Sequence, residues 1–170
     1  MKGLLSDERF SFMAEKDKDF ILAFDDEIRK LGYDSGPKIS SGYCWGKYMI
    51  IYSRSGVKNR KVVARIYIRE KSIVLRLFLS NIDDHRKFIE DAPDYIKKVF
   101  TGDYGRCKHC KNQKGPDCKF RKTYTLDNNR IEMCNGVTFE FWEPTREKLP
   151  DYMRLLSEFY QRKTKLASCM

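Results

Sequence analysis

The stretch "KVVARIYIREKSIVLRLFLS" (residues 61–80) decides the fold, because two runs rich in β-branched and aromatic residues flank a short polar break. If Glu70 and Lys71 form a two-residue turn, the runs pair as an antiparallel hairpin with a definite register. One side of that hairpin then carries only apolar pairs, namely Ile68 with Ile73, Ile66 with Leu75, Ala64 with Leu77, and Val62 with Leu79. Side chains alternate between the faces of a strand, so this register predicts a core face.

The opposite side of the hairpin places Arg65 directly across from Arg76. Like charges in directly opposite positions destabilise a strand pair by about 0.2–1 kcal/mol unless another group neutralises them. In one interpretation this is a solvated outer face, whose arginines splay apart or meet acidic side chains from a helix. The helix acids available for such pairing include Asp25, Asp26 and Glu27.

In the other interpretation, the same face binds anions. Guanidinium groups pair with carboxylate or phosphate oxygens, and neighbouring aromatic rings supply stacking area. The candidate ligand-binding residues are Arg65, Tyr67, Arg69, Arg76 and Phe78. On this hypothesis, replacing Arg65 and Arg76 with Gln abolishes ligand binding at little cost in stability.

The remaining segments predict helices and short strands around this hairpin. Residues 16–31 have apolar side chains at helical spacing and end in the Gly, Asp and Pro signals of "LGYDSGP". Further elements are a strand at 43–53, helical structure at 83–100 with a break at Pro93, a hairpin with its tip near 127–129, a strand at 137–142, and a C-terminal helix within 144–163. This order predicts an α+β fold: an antiparallel sheet, made of a three-stranded meander plus the C-terminal hairpin and strand, covered by N-terminal, middle and C-terminal helices.

Composition and charge bound the class of protein. With 170 residues, of which 41% are hydrophobic and 14% aromatic, the chain can bury one core, so residues 1–170 are expected to form a single domain. The formal charge of +10 is concentrated, since residues 41–82 carry nine basic side chains against one acid, Glu70. A local excess of this kind indicates a binding footprint rather than a solubilising coat.

The sequence shows no sign of membrane insertion or export. No stretch approaches the roughly 18 uninterrupted apolar residues that a membrane helix needs, and charge interrupts the N-terminus too early for a signal peptide. We therefore expect a soluble cytoplasmic protein without a membrane partner. Thiols stay reduced in that compartment, so clustered cysteines are expected to bind a metal or act in catalysis rather than form disulfides.

Four of the six cysteines fall in a polar, zinc-knuckle-like segment at 105–135. Cys107 and Cys110 form a C-x-x-C pair, Cys118 follows a Gly-Pro-Asp turn, and Cys134 lies near the open end of the predicted hairpin. Because four thiolates suit tetrahedral Zn²⁺, we predict a structural zinc site that orders a segment with almost no large apolar side chains. In a regular ladder Cys134 would lie opposite about residues 121–123, so Cys118 must curl back toward it.

Two alternatives for these cysteines remain open. They can be reduced structural thiols without a metal. Alternatively, Cys107 and Cys110 can form a redox pair, and such a pair requires a helix that begins after the first cysteine and lowers the pKa of its thiol. Cys44, in an aromatic run, is expected in the core. The sequence has two histidines and no serine-histidine-aspartate, phosphate-loop or zinc-protease signature, which favours a protein that is not an enzyme.

The segment "CKFRKTYTLDNNRIEMCNGVTFEFWEPT", followed by the helical "LPDYMRLLSEFY", is similar to the C-terminal part of small bacterial proteins classed as domains of unknown function. With the preceding meander and helix, the resemblance covers residues 42–163 and concerns layout rather than a catalytic motif. It implies the α+β fold and a cytoplasmic bacterial setting. It implies no activity, and no functional residue is carried over.

Three functions stand as hypotheses. The leading one is a non-enzymatic, zinc-stabilised domain that binds a small anionic or aromatic ligand on the sheet face or between sheet and helices. The second is nucleic-acid binding, since basic and aromatic residues interleave on the predicted strands. The third is a thiol oxidoreductase that uses Cys107 or Cys110. The identity of the ligand and the oligomeric state are left open.

Overall fold

The computed structural model describes residues 1–54, 56, 61–102, 121–134 and 138–160. Its helices are α1 (Lys2–Leu5), α2 (Glu15–Lys30), α3 (Arg86–Glu90), α4 (Asp94–Thr101) and α5 (Leu149–Phe159). Its strands are β1 (Tyr33–Ser35), β2 (Ser40–Ser41), β3 (Tyr48–Arg54), β4 (Val62–Ile68), β5 (Ile73–Phe78), β6 (Arg121–Leu126), β7 (Asn129–Cys134) and β8 (Thr138–Trp142). Within these ranges, none of the helices has both the length and the apolar character needed to span a membrane.

Strands β3, β4 and β5 form an antiparallel meander at the centre of a six-stranded sheet. The strand order is β1-β3-β4-β5-β8, and β2 pairs with one end of β3. The register predicted for the central hairpin is confirmed from Ala64 paired with Leu77 to Ile68 paired with Ile73, but the ladder ends before the predicted pair of Val62 with Leu79, because β5 ends at Phe78. The apolar alternation of the two strands therefore places one set of side chains in the core.

Helices α2 and α5 cover the core face of this sheet. The ring of Phe20 in α2 lies 6.2 Å from that of Tyr152 in α5, and the ring of Phe24 lies 5.1 Å from that of Tyr52 in β3, centre to centre. All four rings are buried. The structure thus confirms an α+β fold in which helices pack on an antiparallel sheet.

The middle helical segment is divided at Pro93, as the sequence predicts. A 3₁₀ turn (Ile82–His85) leads into α3, and α4 begins directly after Pro93. Proline has no amide hydrogen and its ring clashes with the preceding helical turn, so α3 cannot continue through it. Ile89 of α3 and Phe100 of α4 are both fully buried, which seats both short helices on the core.

Three features of the sheet differ from the sequence prediction. The strand expected at 43–53 begins only at Tyr48, because Tyr43–Trp45 forms a 3₁₀ turn. Strands β1 and β2 are absent from the prediction, since three and two residues are too few to show hydrophobic alternation. The β6–β7 hairpin forms a separate two-stranded sheet, so that β8, and not the hairpin, extends the meander beyond β5.

Tyr124 attaches the β6–β7 hairpin to the rest of the domain. The turn of the hairpin places Asp127 and Asn128 at φ 48° and 62°, the left-handed conformation that suits a tight hairpin turn. The buried Tyr124 hydroxyl donates a hydrogen bond of 2.5 Å to the Phe100 carbonyl, and the Tyr124 ring lies 6.5 Å from the ring of Phe139. The hairpin therefore packs against α4 and β8.

Asp25 joins α2 to the first strand of the sheet. Its buried carboxylate accepts hydrogen bonds from Arg29 Nε at 2.8 Å and from the Ser35 hydroxyl of β1 at 3.2 Å. Hydrogen bonds to an ionised acceptor are stronger than those between neutral groups. Asp25 therefore serves the junction of helix and sheet rather than the arginines of the outer face.

Replacing Asp25 with Ala should lower the free energy of unfolding by about 1.5–3 kcal/mol, because Arg29 and Ser35 both lose a charged acceptor. Chemical denaturation followed by circular dichroism measures this change. Asp26→Ala, at the exposed neighbouring position, is the matched control and should change stability by less than about 0.5 kcal/mol. Equal losses in the two variants would contradict a special role for Asp25.

Candidate functional site

One row of side chains crosses four strands on the outer face of the sheet, the face away from α2 and α5. In this row Ile51, Arg65, Arg76 and Glu140 lie side by side on β3, β4, β5 and β8. The predicted pairing of Arg65 with Arg76 is confirmed. The register that builds the core therefore also fixes two like charges in adjacent positions.

Arg76 is buried between an acid and an aromatic ring. Its side chain is 8% exposed, and its Nε lies 2.8 Å from Oε1 of Glu140, whose side chain is also 8% exposed. The guanidinium carbon of Arg76 lies 3.7 Å from the centre of the Trp45 ring, within cation–π distance. The neutralising acid thus comes from β8, and the aromatic cover comes from the 3₁₀ turn before β3.

Glu140 and Trp45 are not among the residues that the sequence prediction selects. A signal for Glu140 exists in "TFEFW" (138–142), where strand alternation places Glu140 and Trp142 on the face opposite Phe139 and Phe141. Trp45 has no comparable signal, because the aromatic run at 43–53 is typical of one continuous strand and conceals the 3₁₀ turn.

Arg65 and Arg76 meet at the hydroxyl of Tyr67. Arg65 Nη1 donates to this oxygen at 3.3 Å, and Arg76 Nη1 donates to it at 3.4 Å. The half-buried Arg65 also lies over the Phe78 ring, with 5.1 Å between the guanidinium carbon and the ring centre. Because both lone pairs of the Tyr67 oxygen face guanidinium groups, its own proton is directed away from the two arginines.

Several donors here have no acceptor within the part of the chain that the structure describes. Arg65 Nε and Arg76 Nη2 are buried and without a hydrogen bond there. Arg76 Nε forms an ion pair with Oε1 of Glu140 at 2.8 Å. A buried donor without an acceptor costs roughly 1–3 kcal/mol.

The structure brings four of the five predicted ligand-binding residues together. Arg65, Tyr67, Arg76 and Phe78, with Glu140 and Trp45, make up what we call the arginine cluster. It contains two guanidinium groups and one carboxylate, and so carries one net positive charge. Arg69 follows β4 and lies over Trp142 instead, 4.9 Å from guanidinium carbon to ring centre.

Burial raises the pKa of the Glu140 carboxyl above its ordinary value, and the attraction of Arg76 offsets only part of this effect. The folded protein therefore holds a proton on Glu140 more tightly than the unfolded chain does. Protonation of Glu140 leaves the arginine cluster with two positive charges and no internal counterion.

The cysteine site can be placed only in part. Cys107, Cys110 and Cys118 lie outside the described residues. Cys134 ends β7, is half-buried, and pairs with Arg121 at the start of β6, in agreement with the register expected for this hairpin. No three His, Cys, Asp or Glu side chains among the residues described here come together to hold a metal ion. Zinc binding therefore stays a prediction from the sequence.

Cys44 differs from the sequence expectation, because it is exposed rather than part of the core. The physical reason is the 3₁₀ turn Tyr43–Trp45, which replaces the first part of the expected strand and turns Cys44 toward the surface.

No family model, curated protein or solved structure matches this chain. The resemblance to small bacterial proteins stays an expectation, and a functional assignment has to rest on the geometry of the site itself.

The pH dependence of stability should reveal the raised pKa of Glu140. A carboxyl whose pKa is higher in the folded protein contributes stability that is fully present below its unfolded pKa, near 4.5, and is lost as the pH rises through the folded pKa. The quantity to compare is the free energy of unfolding of the native protein minus that of the Glu140→Gln variant. This difference should fall as the pH rises above about 4.5.

Urea denaturation at a series of pH values measures this difference. Glu8→Gln, at an exposed position, is the control. The free energy of unfolding of the native protein minus that of this variant should change little with pH. If the difference for Glu140→Gln instead rises with pH, the ion pair with Arg76 affects the pKa of Glu140 more strongly than burial does, which contradicts the prediction.

Proposed function

We propose that this protein is a binding domain for a small ligand with a carboxylate or phosphate group, held between Arg65 and Arg76. The observation that carries the proposal is the pair of buried donors, Arg65 Nε and Arg76 Nη2, which have no acceptor in the described part of the chain. Native proteins pair nearly all their buried donors, so this deficit supports an external acceptor.

The chemistry of the arginine cluster favours an oxyanion. A guanidinium group presents its N–H bonds in a planar fork that matches two oxygens of a carboxylate or phosphate. Tyr67 offers a further hydroxyl proton, and the net positive charge of the cluster attracts an anion. The rings of Trp45 and Phe78 limit contact with water, which strengthens the electrostatic attraction.

The burial of Arg76 favours a small ligand over a macromolecule. Its side chain is 8% exposed, and the Trp45 ring covers one face of its guanidinium group. A compact anionic group can approach the edge of such a guanidinium, whereas an extended surface cannot reach it.

Arg65→Gln tests this proposal. The change removes one guanidinium group but leaves the ion pair of Arg76 and Glu140 in place, so the fold should lose only about 1 kcal/mol. Isothermal titration with inorganic phosphate and with acetate, at low ionic strength, should detect binding to the native protein. Binding to Arg65→Gln should be at least about tenfold weaker, because a hydrogen bond to a charged group contributes about 1.5–3 kcal/mol.

Arg154→Gln is the matched control, since Arg154 is 70% exposed on α5 at the helix side of the sheet. This variant should bind like the native protein. Undiminished binding by Arg65→Gln, or no binding of either anion by the native protein, would contradict the proposal.

Arg76 is a poor choice for a single deletion, which changes an expectation drawn from the sequence. Without Arg76, the Glu140 carboxylate stays buried with no cation beside it. Breaking a buried pair in this way costs roughly 3–5 kcal/mol. Replacement of both arginines with Gln is therefore expected to destabilise the fold as well as to abolish binding.

We also propose that a structural zinc ion is held by Cys107, Cys110, Cys118 and Cys134. The support is the spacing of these cysteines and the position of Cys134, which pairs with Arg121, three residues after Cys118 in the sequence. A short backward turn of the chain would bring Cys118 to Cys134, since zinc–sulfur bonds are about 2.3 Å long.

Elemental analysis of protein purified without chelators should find about one zinc ion per chain, as a closed four-cysteine site requires. Cys134→Ser should lower both the zinc content and the thermal stability, because metal coordination contributes to folding. Cys44→Ser, at an exposed cysteine outside the proposed site, is the control and should keep its zinc. Metal-free native protein with reduced cysteines would refute the site.

A further inference from the structure

A second surface lies at the end of the same outer face, next to the arginine cluster. It is an open groove of about 700 Å³ between the 3₁₀ turn Tyr43–Trp45 and the turn that joins β4 to β5. Three basic residues and one acid line it, namely Lys47, Arg69, Lys71 and Glu70. Lys47 Nζ lies 3.0 Å from Glu70 Oε1, so the positive charge in excess belongs to Arg69 and Lys71.

Exposed aromatic rings flank this groove. Among the described residues, the large hydrophobic residues that are exposed are Tyr43 and Trp142. Their exposed fractions are 81% and 48%. Tyr43 lines the groove, and Trp142 adjoins it through Arg69, whose guanidinium carbon lies 4.9 Å from the Trp142 ring centre. Exposure of aromatic rings to water is unfavourable, and exposed rings beside a groove indicate a surface on which a partner can stack.

The backbone holds Tyr43 in this position. Its φ of 51° lies in the left-handed region, which a bulky residue rarely adopts. A Cβ atom on Gly42 would come within 2.3 Å of the Gly46 carbonyl oxygen, and one on Gly46 within 2.7 Å of the Ile68 carbonyl oxygen. This close packing fixes the turn, and with it the strained Tyr43, against the end of β4.

We propose that this groove binds single-stranded nucleic acid. A single strand supplies phosphates for Arg69 and Lys71, and it also supplies unpaired bases whose faces stack on Tyr43 and Trp142. A duplex hides its base faces, and an acidic peptide has none, so neither uses the exposed rings. The groove does not include Arg65 or Arg76, although Trp45 lines it as well as covering Arg76, so the two neighbouring sites are tested with separate variants.

Fluorescence anisotropy with labelled oligo(dT) and oligo(U) of about 20 nucleotides tests the proposal, with a duplex of the same length and a poly-glutamate peptide as competitors. The single strands should bind more tightly than the duplex and the peptide. The logarithm of the affinity should fall with the logarithm of salt concentration with a slope of about −1.4 for two phosphate contacts. Binding of either strand supports the proposal, and the comparison of dT with U measures the influence of the ribose hydroxyl.

Substitutions separate stacking from charge. Tyr43→Ala and Trp142→Ala should each weaken binding about 5- to 160-fold, the factor that corresponds to one lost stacking interaction. Tyr43→Phe keeps the ring and should bind like the native protein. Lys71→Gln should flatten the salt slope by about 0.7, whereas Lys30→Gln, 67% exposed on α2, should leave it unchanged.

The proposal is overturned if the native protein binds neither strand, if the duplex or the peptide binds as tightly as the strands, or if both alanine variants bind like the native protein. Thermal melts establish that each variant is folded. Arg65→Gln should retain strand binding and Tyr43→Ala should retain phosphate binding, so that failure at one site is distinguishable from failure at the other.

Discussion

The register between β4 and β5 is the constraint on which both faces of the sheet depend. If β5 shifted by one residue against β4, Arg76 would enter the core and Leu75 would be exposed, because successive side chains point to opposite faces; a shift of β4 would do the same to Arg65 and Ile66. Burial of unpaired charge costs far more than the repulsion between two arginines at a surface. Apolar packing therefore holds the two guanidinium groups opposite each other. The outer face must then supply groups that make this arrangement tolerable, and it supplies an acid and aromatic rings.

The parts of the fold that the sequence predicts are those with long periodic patterns. Helix α2 and the central hairpin have enough apolar repeats to exclude other pairings, and Pro93 has a steric effect that needs no tertiary context. The arginine pairing follows from the same alternation. The sequence pattern misses two features. The 3₁₀ turn that positions Trp45 lies within an aromatic run that is typical of a strand. Glu140 is far from Arg76 in the sequence and pairs with it only because β8 joins the sheet beside β5.

Two ion pairs with a buried carboxylate differ in how fully the surrounding groups satisfy them. Asp25 receives aligned hydrogen bonds from Arg29 and from a serine hydroxyl, so its charge is matched within the fold. The pair of Arg76 and Glu140 is equally close, but Arg65 Nε and Arg76 Nη2 beside it have no hydrogen bond within the described part of the chain. A network that is only partly satisfied is costly in a low-dielectric environment. The groove beside it, by contrast, is open to water.

The position of β8 has a further consequence for the chemistry of this face. Within the described sheet, β8 is a terminal strand and has β5 as its neighbour. A strand with a partner on one side separates from its sheet more readily than a central strand does. A local opening of β8 would withdraw the Glu140 carboxylate from Arg76. In the proposed anion site, the net charge beside Arg65 and Arg76 would therefore depend on whether β8 is paired with β5, so that pairing at the edge of the sheet would influence affinity.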